Sequence, residues 1–193
     1  MISPDGRWIA SGESGGTVQF WDAASGRPLM ALRGRGSADA LAVAPDGSWL
    51  AWGGNHKAIR IWDVIKRRER MVMMLPEEEF LADVRTLGVA PDGSWLASAG
   101  YDKTIRIWDM ASGRQRAVLT GHTETIWTVA IAPDGRWIAS ADNDATIRIW
   151  DAADGGAITL MRVEKRIRSC AWLGATGLVL GGDAGLYRFD FKA

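Results

Sequence analysis

His122, Ser140 and Asp144 are the residue types of an activated nucleophile: a hydroxyl, a histidine to take its proton and a carboxylate to orient the ring. The same set, closed by an indole N–H, makes something different, a buried chain of hydrogen bonds with no hydroxyl left to react. The setting favours the second reading. All three fall within one unit of a recurring string, Ser140 sits inside the apolar run WIASAD, and Trp150 ends the strand pattern that follows.

Other chemistry is hard to build from this chain. His56 and His122 are the only histidines and Cys170 is the only thiol, which rules out a His/Cys metal set. Asp5, Asp46, Asp92 and Asp134 each stand between a proline and a glycine, where a carboxylate caps a turn. Neither GxxxxGK[ST] nor GxGxxG occurs. No catalytic residue, metal ligand or cofactor site is expected, and the chain reads as a non-enzyme.

The elements that position these residues recur. The prolines of PDG, Pro4, Pro45, Pro91 and Pro133, step by 41, 46 and 42 residues, and Trp21, Trp62, Trp108 and Trp150, each followed by Asp, step identically. A constant internal distance with variation between units marks a repeated supersecondary unit. Eight of the eleven tryptophans occupy two positions of it. In TIRIWD, Ile105 and Ile107 alternate with Arg106 and Trp108, the period of a strand. WLASAG or WIASAD precedes it, and VAIAPDG precedes that, closed by a Pro-Gly turn. A polar turn and a short apolar strand follow each Trp-Asp. Four strands per 40 to 45 residues is the period of a propeller blade. The expected fold is all-β, a propeller of four-stranded antiparallel blades, about five in number, open or incomplete. It forms a single domain, 1–193, with copies at 1–33, 34–75, 76–119, 120–162 and 163–193. The fifth copy, Ile167 to Asp190, is degenerate, with Phe189 for Trp and no outer strand.

Charges balance at 23 and 23, so no global field points to nucleic acid or a membrane surface. One cysteine and no apolar leader or spanning run indicate a cytoplasmic protein.

The Trp-Asp pairs, the PDG turns, the (L/I)AS strands and Gly121-His122 together resemble the WD-repeat β-propellers, over essentially the whole chain. The resemblance implies a protein-interaction scaffold that binds a protein or peptide through its upper face and channel rim. It also implies a structural tetrad in the blade, complete only in the fourth copy as His122, Ser140, Asp144 and Trp150. The third copy keeps Ser98, Asp102 and Trp108, the first Ser11 and Trp21, and the second Trp62, with Trp52 near the serine's place. Six residues before each PDG proline stand Asp39, Arg85 and Trp127, with Arg166 as the rough equivalent in the fifth copy. Tyr101 and Asn143 precede the turn aspartates. The family places such positions on the upper rim, where aromatics and arginine suit a partner hot spot. Trp127 packed on a neighbouring blade, with solvated arginines, is the competing expectation.

KRRERMVMMLPEEEF (Lys66 to Phe80) reads as an outer strand, Arg70 to Leu75, and a charged loop, Glu77 to Glu79; an adaptable Met-rich contact surface is the alternative. PDGRWIAS and IWDAASGR resemble bacterial members, which implies the sensor portion of a larger signalling protein. MISPDGRW lacks most of an inner strand, and the chain stops at FDFKA. The chain is therefore expected to be a cut through a larger array, or to self-associate through unpaired blade edges.

Overall fold

Each repeat folds because its apolar residues alternate and its turns carry the residues that turns need. The computed structural model describes residues 1–76 and 83–190. The first blade holds β1 (Trp8–Gly12), β2 (Thr17–Asp22) and β3 (Pro28–Arg33). The second holds β4 (Ala40–Val43), β5 (Trp49–Gly53), β6 (Ala58–Asp63) and β7 (Arg68–Met74). The third is β8 (Val84–Val89), β9 (Trp95–Gly100), β10 (Ile105–Asp109) and β11 (Gln115–Leu119). The fourth is β12 (Ile126–Ile131), β13 (Trp137–Asp142), β14 (Thr146–Asp151) and β15 (Ala157–Arg162). The fifth has β16 (Ile167–Leu173), β17 (Gly177–Gly182) and β18 (Gly185–Asp190). Within every blade the strands pair antiparallel with their neighbours in sequence, and no described residue is helical. No helix among the described residues is long and apolar enough to cross a membrane.

The expected turn caps are present. Asp46 and Asp92 accept the amides of Ser48 and Ser94, and the aspartates of Trp-Asp act likewise, Asp22 on Ser25 and Asp109 on Ser112. The PDG turns also stack, since Gly47, Gly93 and Gly135 lie against Pro4, Pro45 and Pro91 of the preceding blade. Both faces of the middle strands are covered: all six residues of β9 and of β13 are buried. Alanine at every second position lets one sheet approach the next. Four hydrophobic clusters result, one between each pair of successive blades, and among the described residues none joins the fifth blade to the first. The outer face of the fifth blade is uncovered, with Leu186 82% exposed.

The segment after Trp62 forms the outer strand two residues earlier than expected, at Arg68, because a tight turn through Arg67 brings Arg68 opposite Asp63. Met71 and Met73 pack inward on the cluster between blades two and three, as an outer strand does, while Val72 and Met74 alternate outward and are exposed. Glu77 to Glu79 and Phe80 lie outside the described residues.

Candidate functional site

The hydrogen-bond chain of the fourth blade is closed by Asp142, not Asp144. His122 donates from Nδ1 to Asp142 Oδ2 at 2.8 Å, and its Nε2 accepts the Ser140 hydroxyl at 2.6 Å. Ser140 Oγ in turn accepts the Trp150 indole N–H at 2.9 Å. The reason is the pleat. Residues two apart on a strand share a face, so Ser140 and Asp142, both on β13, point the same way, whereas Asp144 lies beyond the strand in the turn and is exposed. Ile138 pairs with Trp150 across the sheet and Ser140 with Arg148, which puts the indole on the diagonal to Ser140. The Asp144 amide instead donates to Asp142 Oδ1 at 3.0 Å, as does that of Thr146. Burial pushes the Asp142 carboxyl up, but the bonds from His122 and these amides outweigh it and hold the group below the usual carboxylate range.

This Asp–His–Ser set has the contacts of a hydrolase triad and none of its access. Ser140 and Asp142 are fully buried, and the serine oxygen is occupied by the indole. The one thiol is equally unsuited to attack: burial pushes Cys170 up to about 11.

A second constellation forms where the innermost strands begin. Inner strands β8, β12 and β16 each carry an irregularity at their second residue: Arg85, Trp127 and Arg168 are the extra residues of bulges against β9, β13 and β17. A bulge leaves its extra residue out of the ladder and re-aims its side chain. Each bulge residue meets the residue at the tip of its own blade's next turn. Arg85 Nη2 donates to Tyr101 Oη at 2.8 Å, Trp127 Nε1 to Asn143 Oδ1 at 3.1 Å, and Arg168 Nε to Asp183 Oδ1 at 2.6 Å. Threonines beside two of them lock blade to blade, Thr86 accepting the Val129 amide and Thr128 the Cys170 amide, both at 3.2 Å.

Five of the six expected rim residues therefore converge. The Arg85 guanidinium lies 4.9 Å from the Tyr101 ring centre and 5.0 Å from that of Trp127, a double cation–π contact spanning blades three and four. Asp39 of the second blade reaches Arg85 Nη1 at 3.4 Å and accepts the Ser37 hydroxyl at 2.7 Å. Ser37 also binds Asn55, through its amide at 2.7 Å and its hydroxyl oxygen at 3.1 Å. Trp127 does lean on the neighbouring blade's arginine, and that contact helps to build the site. Arg166 is the exception: its carbonyl accepts the Asp183 amide, and the bulge position equivalent to Arg85 and Trp127 belongs to Arg168. The fifth copy has no PDG turn from which to count, so only strand register identifies Arg168. Arg168, Asp183, Ser37 and Asn55 were not foreseen, although counting one residue on from Ile126 and Ile167 pairs Trp127 with Arg168.

The family model described as "WD domain, G-beta repeat" matches residues 1–22, 26–63, 78–109 and 113–151. The chain belongs to the WD-repeat family. A segment of 36 residues is 50% identical to an uncharacterized WD repeat-containing protein of Nostoc sp., and covers 19% of this chain and 2% of that protein. WD-repeat propellers are in general protein-interaction scaffolds and typically not enzymes.

The WD repeats of this chain differ in how far the indole is satisfied. Trp108 donates to Ser98 at 2.8 Å and Trp21 to Ser11 at 2.9 Å. Gly100 stands at the Asp142 position of the third repeat, and Asp102, in the turn, bonds Thr104 and Arg106 rather than joining Ser98 through a histidine. In the second repeat Trp52 replaces the serine, and the Trp62 indole N–H has no partner among the described residues.

Proposed function

We propose that this WD-repeat chain is a non-enzymatic interaction module that holds a protein or peptide on the rim where the inner strands begin. The observation that carries the reading is the meeting of Asp39, Arg85, Tyr101, Trp127 and Asn143, from three blades, around one guanidinium whose side chain is 26% exposed. Aromatic side chains and arginine supply most of the energy in protein hot spots because they present large, rigid, amphipathic area. The rim offers both, on bulges that turn their side chains out of the ladder. Nucleic acid is a poorer fit, since the chain carries no net charge and, of the two arginines here, Arg168 is held by Asp183 at 2.6 Å.

Selecting a random peptide library on the immobilised chain, then measuring the selected peptides against wild type and the R85A/W127A variant, tests this. At least tenfold weaker binding to a variant that still unfolds cooperatively is expected. Equal binding would move the function off this rim.

A second reading, one piece of a larger or self-associated propeller, draws support from the uncovered fifth blade, where Arg188 faces outward at the position that Ile61, Ile107 and Ile149 fill in the core. A solution mass above 21.0 kDa at micromolar concentration is its expected signature, and a monomer at all concentrations counts against it.

A further inference from the structure

Building on the rim as the binding face, we infer that its ligand is an acidic peptide segment, which presents a side-chain carboxylate to Arg85, Tyr101 and Asn143 and rests apolar atoms on Trp127. The hydrogen-bonding capacity left on the rim is mostly that of donors. Tyr101 Oη accepts from Arg85, which leaves its own proton free to donate. The Asn143 carboxamide oxygen accepts from Trp127, which leaves the amide N–H groups as donors. Arg85 keeps capacity at its Nη groups, since its ion pair with Asp39 through Nη1 is at 3.4 Å; its Nε, which has no acceptor among the described residues, is buried and is not a contact for the ligand. Against these stands one spare carboxylate oxygen, Asp39 Oδ1, since Oδ2 is shared by Ser37 and Arg85. The unspent capacity is that of a carboxylate receptor, with donors converging from two blades and an indole beside them.

The other arginine of the rim is already committed. Arg168 holds Asp183 at 2.6 Å, a full charge-assisted bond, whereas Asp39 reaches Arg85 at the long limit for such a contact. Asp39 thus occupies the edge of the guanidinium that a ligand carboxylate takes, and holds it loosely enough to be displaced. A cationic ligand has less to use: Asp39 is the one carboxylate in this cluster, and the Tyr101 and Trp127 rings already carry the Arg85 guanidinium, which repels it.

The test uses the full chain, labelled with 15N, and three nine-residue peptides of Gly, Ser and one Leu that differ only in a central Glu, Gln or Lys. Saturable shifts of the Arg85 Nε–H and Trp127 indole resonances with the Glu peptide are expected, with affinity at least tenfold lower for the Gln peptide. Asp39→Asn removes the competing carboxylate and tightens the Glu peptide about fivefold, while Tyr101→Phe weakens it about threefold; both substitutions keep side-chain volume. Tighter binding of the Lys peptide, abolished by D39N, would overturn the assignment in favour of a cation subsite. If none of the three peptides shifts Arg85 while library-selected peptides still require Arg85 and Trp127, the carboxylate falls and the rim stands. If library binding is also indifferent to both residues, the rim falls too.

Discussion

In the fourth blade the space beside the Trp150 indole is filled by Ser140 and His122; in the second, the corresponding space holds the indole of Trp52. Gly34 stands where the fourth blade has His122, and a Cβ built on it would lie 3.3 Å from Trp52 Nε1. The larger side chain at the serine position thus requires the smaller residue at the histidine position. Both arrangements fill the volume, but only one satisfies the polar groups. Trp150 finds an oxygen and Asp142 receives three donors, while the Trp62 indole N–H goes without a partner among the described residues. The repeat demands a filled interior at this point and tolerates either chemistry, because apolar packing and a satisfied polar chain are two ways to avoid a void.

The sharpest way to break the comparison is Asp142→Ala, which strands the buried His122 ring N–H and removes the acceptor of the Asp144 and Thr146 amides. A loss of about 3 kcal/mol in chemical denaturation is expected from unpaired buried donors. The same residue sets a pH dependence. A carboxyl held low in the folded state adds stability that is complete above its unfolded value of about 3.9 and disappears as pH falls through the folded value. D142N should flatten that part of the acid limb. Residual sensitivity should persist, because hydroxyl bonds from Ser3, Ser25 and Ser112 hold Asp5, Asp22 and Asp109 low as well.

Transplanting the polar solution into the second blade sharpens the contrast. Trp52→Ser alone should cost about 3 kcal/mol through the cavity it leaves, the low end for a buried tryptophan because the new hydroxyl offers the Trp62 indole an acceptor. Adding Gly34→His should recover about 1 kcal/mol, read as the coupling in a double-mutant cycle. Zero coupling would mean that the two positions do not share one space.

The smallest effect lies in a turn. Gly26, Gly113 and Gly155 have φ of 69°, 69° and 77°, and Arg67 occupies the same left-handed position of the second blade with φ 51°. Arg67→Gly should stabilise by about 0.5–1 kcal/mol, the cost a side chain meets in that region after the entropy of glycine is deducted. A shift of the thermal midpoint upward checks it.

Much of this was readable in one dimension. The repeat period, the strand positions and the capping role of Asp46 or Asp109 depend on residues close in sequence, and such contacts survive any arrangement of the blades. Ser140 and Trp150 were legible too, being one hairpin apart. Asp142 was within reach but passed over: resemblance pointed to the turn aspartate, while the two-residue pleat, applied to Ser140, points to Asp142. Arg168 escaped because a degenerate repeat without PDG leaves no fixed point from which to count.

The sequence by itself determined the repeated strands, their turns and which residues lack a catalytic partner, because alternation, Pro-Asp-Gly geometry and residue inventory are local properties. Only the tertiary structure decided that Arg85 sits between Tyr101 and Trp127 with Asp39 at its edge. Those residues come from three blades, and they meet because bulges turn Arg85 and Trp127 out of their ladders while the packing of sheet on sheet sets the distance between them.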